Sequence, residues 1–215
     1  MKKMFLIPVA LMLTLALGCS APGAVPASTD APQEPPAVTA TAEPTPEPTP
    51  EPTPEPTPVP DMSVMSAGII DGAMDLAYGA KGEQRKGNVP TRSLPLTVND
   101  IPEGAVTLAL TMIDPDGGNW VHWTACNIPV DGFTCEIAEN ASIDWPETVV
   151  QGKNDFGPSG YGGPTPPSGV HTYVITVYAL SAPLELETGF RLKALQTAMD
   201  GKILAEATLT GTYAK

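Results

Sequence analysis

Three stretches of the chain carry strong strand signals. Ala105 to Ile113 (AVTLALTMI) is almost continuously apolar, the pattern of a strand buried on both faces. Trp120 to Ile128 (WVHWTACNI) is rich in aromatic and branched residues. His171 to Leu180 (HTYVITVYAL) alternates, which puts Tyr173, Ile175, Val177 and Ala179 on one face. Shorter strands are expected around Ser63–Ile70 and Leu94–Val98. Arg191 to Met199 changes period: Leu192, Leu195, Ala198 and Met199 fall on one side of a helix that Gly201 can stop. Lys202 to Tyr213 then reads as a last strand. Between Gly152 and Gly169 the glycines and prolines rule out regular structure, and a loop of that length in a compact domain is usually functional. Strands arranged around one such loop predict a β-sandwich-like α+β domain over 61–215.

Upstream the pattern changes twice. Lys2 and Lys3 precede Met4–Leu17, which carries no charge over 14 residues. That is short of the roughly 20 apolar residues of a membrane span and suits the core of an export signal. The stretch ends in Leu15-Ala16-Leu17-Gly18-Cys19, and a small residue directly before a cysteine resembles the lipobox of bacterial lipoproteins. The resemblance implies that 1–18 is a signal peptide and that Cys19 is lipidated. The protein is then expected on the outer face of the cytoplasmic membrane, or in an outer membrane where there is one. Residues 19–60 form the next segment. Four consecutive Glu-Pro-Thr-Pro repeats fill 43–58, and their prolines fix φ and delete every second amide donor. The expected conformation is a disordered, polyproline-rich tether rising ~3.1 Å per residue.

Composition sharpens this division. The chain has 215 residues, 26 prolines and a formal charge of −13. Residues 20–60 hold 14 of the prolines and six acids without a single base. The remaining 61–215 has 18 acids against nine bases and an ordinary proline density. Such a balance argues against nucleic acid as a partner, because phosphate backbones call for a surplus of Lys and Arg. It also leaves membrane attachment to the N-terminal lipid rather than to electrostatics.

Candidate chemistry centres on the two histidines. If 105–114 and 120–128 form a hairpin, Asp114 and His122 sit near its mouth, and the loop ending at His171 can close over them. A carboxylate fixes the orientation of an imidazole, and Gly-rich backbone can supply amides that cradle an anion. Two cysteines, Cys126 and Cys135, are spaced for a disulfide across a hairpin built on 127–132, with two buried thiols as the alternative. No Cys-x-x-Cys is present.

The blocks Asp114-Pro115-Asp116, Trp120-Val121-His122-Trp123, Asn127-Ile128-Pro129, GKNDFG (152–157) and GYGGPTPPSGVHTY (160–173) occur in this order. Together with the C-terminal ALQTAMDGKILAEATLTGTY they resemble the phosphatidylethanolamine-binding protein family, in its bacterial and archaeal Raf-kinase-inhibitor-like branch. The resemblance spans essentially all of 61–215. It implies an antiparallel β-sandwich with a C-terminal helix and a small pocket for phosphate-type groups. By position, Asp114, Trp120, His122 and His171 would form that pocket. Gly163 and Pro166 would shape its rim, and Tyr173 would stand close by. Asn154 and Asp155 would brace the loop. Two positions depart from the family pattern: Gly117-Gly118 replaces the usual Ala-Pro, which suggests a more open rim, and Lys202 replaces a frequent histidine.

The expected function is therefore binding of a small anionic or phosphorylated ligand by a surface-tethered lipoprotein, with affinity falling as pH rises through the histidine range. A protease-inhibiting or regulatory protein target is the alternative. Catalysis is not expected, because Ser168 lacks the Gly-x-Ser-x-Gly context of an activated nucleophile. Neither cofactor nor metal is implied, since zinc needs three or more ligands and only two histidines and one carboxylate converge.

Overall fold

A computed structural model describes residues 61–215. The expected signal peptide, the expected lipidation of Cys19 and the expected tether fall outside the described residues. The strands, in chain order, are β1 (Ser63–Met65), β2 (Ile69–Ile70), β3 (Ala73–Met74), β4 (Arg85–Lys86), β5 (Val89–Pro90), β6 (Leu96–Asn99), β7 (Thr107–Asp114), β8 (Trp120–Pro129), β9 (Cys135–Ile137), β10 (Val150–Gln151), β11 (Val170–Leu180) and β12 (Ile203–Ala214). Two short helices join them, α1 (Ala141–Asp144) and α2 (Leu192–Met199), with a 3₁₀ turn at Leu76–Tyr78.

Seven strands form one sheet in the order β10-β8-β7-β11-β12-β3-β2, and three form a second in the order β1-β6-β9. The strands β4 and β5 pair as a separate ribbon. All pairings are antiparallel except the single β12–β3 bridge. The two larger sheets face each other across the main core, where Leu96, Val98 and Ile137 meet Leu108, Leu110, Met112, Trp123, Ile175 and Val177. This is the expected mainly β sandwich.

The near-continuous apolar run of β7 has a direct cause. Leu108, Leu110 and Met112 enter the main core, while Ala109 joins a second cluster on the other face of the sheet. There Leu195 and Met199 of α2 cover Ala109, Cys126 and Leu180. Lys202 caps this helix: its Nζ donates to the Ala198 carbonyl at 2.7 Å.

The disulfide expectation fails. Cys126 and Cys135 are both free thiols. The chain does not turn back on itself at 127–132. Instead β8 continues to Pro129, and β9 pairs with β6 in the opposite sheet. Cys126 therefore lies under α2, whereas Cys135 packs against the main core. The intervening Asn127 holds a positive φ of 60° and locks onto Leu184 by two hydrogen bonds, to its carbonyl at 3.0 Å and from its amide at 2.8 Å.

Candidate functional site

The β7–β8 hairpin expected from the sequence is present, with Asp114 opposite Trp120 as its last pair. Beyond it the chain turns through Pro115–Asn119. Asp114 Oδ1 accepts from the Gly117 amide at 2.8 Å and closes this turn. A Cβ on Gly117 would lie 2.8 Å from the other carboxylate oxygen, so a side chain there would displace the carboxylate. Asp116 Oδ2 accepts from the Thr172 amide at 2.7 Å and ties the turn to the start of β11.

A cavity of about 550 Å³ opens at this end of the large sheet. Asp114, Trp120, His122 and His171 all line it, as the sequence predicts. Gly163, Pro166 and Tyr173 do not; they stand behind its walls. Gly163 is packed so closely that a Cβ would fall 2.2 Å from the Tyr78 carbonyl oxygen. Pro166 is buried. Tyr173 has no exposed surface and stacks edge-on beneath His122, with ring centroids 5.0 Å apart. Its buried hydroxyl makes no hydrogen bond, and burial, with the Asp114 carboxylate nearby, pushes its pKa well up.

Both imidazoles are held in the same way. His171 Nδ1 donates to Asp114 Oδ2 at 2.7 Å. His122 Nδ1 donates to the Gly162 carbonyl at 2.6 Å, and the Gly162 amide returns a bond to the His122 carbonyl at 2.8 Å. An acceptor on Nδ1 fixes the tautomer. In each ring Nε2 is thus the nitrogen left uncommitted. His122 is 2 % exposed, and its burial lowers its pKa below the ordinary 6.5, the Gly162 bond opposing this only in part. At neutral pH its Nε2 is therefore a bare acceptor.

Sequence reasoning missed Phe156. Its ring meets Trp120 and His122 edge-on, at 5.5 Å from each, and forms the cavity wall between them. The signal was an aromatic residue inside the Gly-rich loop, in the GKNDFG block already singled out. Asn154 and Asp155 do brace that loop. Asn154 Nδ2 donates to the Gly160 carbonyl at 2.9 Å, and Asp155 Oδ2 accepts from the Val121 amide at 2.7 Å. The hydroxyl residues Thr165 and Ser168 also line the cavity, as does Pro167. At Gly118 there is open space around an added Cβ, in keeping with an open rim on that side. Among the described residues no group of three His, Cys, Asp or Glu side chains is arranged to hold a metal ion.

Comparison with known proteins places this geometry. The sequence profile described as phosphatidylethanolamine-binding protein matches residues 65–214. The uncharacterized protein YxkA of Bacillus subtilis is 42% identical over 148 residues, covering 61% of this chain and 86% of that one. A UPF0098 protein of Methanothermobacter thermautotrophicus is 41% identical over 138 residues, covering 60% and 91%. Among solved structures, a putative phosphatidylethanolamine-binding protein homolog from Chlamydia trachomatis aligns with a TM-score of 0.61 at 34% identity, over 72% of this chain and 98% of its own. Escherichia coli YbcL, described as a member of the mammalian PEBP family, aligns at 0.62 and 28% identity, over 73% and 99%.

Proposed function

Because the chain belongs to the phosphatidylethanolamine-binding protein family, we propose that it is an exported lipoprotein, anchored through Cys19 and the 19–60 tether, whose cavity binds a small phosphate-type anion without transforming it. One observation carries the reading: two imidazoles line one cavity, each with Nδ1 held by the protein and Nε2 free for a ligand.

Two carboxylates in the wall would oppose an anion, but three of their four oxygens are engaged within the protein. Asp114 has one oxygen on the Gly117 amide and the other on His171, and Asp116 is held by the Thr172 amide. Direct donors for a bound anion are then the hydroxyls of Thr165 and Ser168, and His171 contributes its uncommitted Nε2. The neutral His122 Nε2 accepts a hydrogen bond from a protonated ligand oxygen, and becomes a donor itself only in acid.

The test is calorimetric titration of the full chain with a phosphodiester, whose charge does not change near neutrality, so that the pH dependence reports the protein. Affinity is expected to rise as pH falls below 6.5 and to vanish in a His122→Ala, His171→Ala double variant that remains folded. Unchanged affinity in that variant would remove the cavity from consideration.

A further inference from the structure

The loop that roofs the first cavity has a second cavity on its other side. It measures about 390 Å³ and lies between the β4–β5 ribbon, α1 and the segment Pro158–Tyr161. Phe156 faces the first cavity, while Pro158, Ser159 and Tyr161 face the second.

The two cavities differ in charge. Asp114 and Asp116 line the first, whereas the second contains no acid and has Arg85 and Lys86 in its wall. This is notable in a domain where acids outnumber bases two to one. Neither cation has a carboxylate within ion-pair distance among the described residues. Arg85 is oriented instead by backbone carbonyls: its Nε donates to Gly82 at 3.2 Å, and its terminal nitrogens reach Ala80 and Asn88. Those bonds fix the guanidinium without neutralising it. The same cavity has apolar lining from Val89, the cross-strand partner of Lys86, and from Ile143 and Pro158, of which Ile143 is 56% exposed. Unneutralised cations in a concave, partly apolar site attract an anion that also carries an apolar group, and 300–1,000 Å³ is the usual size of a small-molecule site.

We propose that this cavity is a second binding site, selective for a small organic anion with an aliphatic tail: the charged head against Lys86 and Arg85, the tail against Val89, Ile143 and Pro158. The site is independent of the phosphate-type pocket, since it shares none of that pocket's lining residues.

The experiment titrates the full chain with hexanoate, with inorganic phosphate as a head-only control, and follows both by amide chemical shifts. Saturable hexanoate binding that shifts the amides of 84–91, 142–143 and 158–161 is expected, with phosphate at least about tenfold weaker there. Lys86→Glu should weaken hexanoate by about tenfold or more, whereas Lys193→Glu, which changes net charge equally but sits on α2, should leave it unchanged. The His122→Ala, His171→Ala variant should bind hexanoate as the parent does. The proposal is overturned by absent or non-saturable binding, by equal losses in the two lysine variants, or by loss in the histidine variant, which would move the ligand to the first cavity.

Discussion

Burial of His122 makes a quantitative demand on stability. The folded protein holds this ring below the ordinary pKa of 6.5, chiefly by burial, whereas in the unfolded chain it titrates near 6.5. The sign follows from proton counting. Below pH 6.5 the unfolded state takes up a proton that the folded state refuses, so stability falls as pH falls, until the folded pKa is reached. Within that window one proton is worth up to about 1.4 kcal/mol per pH unit. His122→Phe removes the proton and also leaves the buried Gly162 carbonyl without its 2.6 Å donor, a loss of ~1–3 kcal/mol. At about pH 8 the variant should therefore be less stable than the parent by that amount. Towards about pH 5 the difference should narrow, because only the parent is being penalised. Urea unfolding of both proteins at closely spaced pH values measures the difference directly, and carboxylates common to both cancel from it. A difference that stays constant through this range would mean that His122 does not titrate differently on folding. A difference that widens would mean that the folded state favours the imidazolium, and either outcome refutes the assignment of a neutral, acceptor Nε2.

Two further outcomes follow from packing. Gly162→Ala places a Cβ 2.6 Å from Phe156 Cδ2 and 3.1 Å from Asn154 Nδ2; it should cost ~1–3 kcal/mol in urea unfolding and weaken phosphodiester binding by moving the Phe156 wall. Unfolded, unreduced Cys19→Ala chain should give two thiols in a colorimetric titration, since Cys126 and Cys135 are unbridged; in the native state Cys126 should react slowly at neutral pH, its thiol being buried and its pKa pushed up to about 11.

Most of the framework was legible because its signals are periodic. The alternation Tyr173, Ile175, Val177, Ala179 gives four residues with no exposed surface, and the helical spacing of Leu195 and Met199 gives two buried ones. The short elements were not legible. β4, β5 and α1 have two to four residues each, too few for any period to show, and they are held by contacts distant in sequence. The cysteine error has the same origin. Cys126 and Cys135 are nine positions apart, and spacing says nothing about which sheet the second strand joins. At the site, the residues carrying polar chemistry were readable as types, but the division between wall and support was not. Tyr173 and Gly163 belong to the same blocks as His171 and Gly162, and only packing shows that they sit behind the surface.

The overall acidity of the domain therefore says little about what either cavity attracts. In the first cavity the carboxylates are turned to internal use, fixing a turn and an imidazole, and the pH dependence of the proposed recognition rests on His122, whose burial holds its pKa below 6.5. The second cavity holds neither imidazole nor carboxylate among its lining residues. Two anion sites on opposite sides of one loop should then separate by pH alone. Phosphodiester affinity should climb as the medium is acidified below 6.5, while hexanoate affinity stays flat down to the point where the probe itself takes up a proton. Parallel pH profiles for the two ligands would place both in the same cavity. A flat phosphodiester profile would take His122 out of recognition and leave it a buried support for the Gly-rich loop.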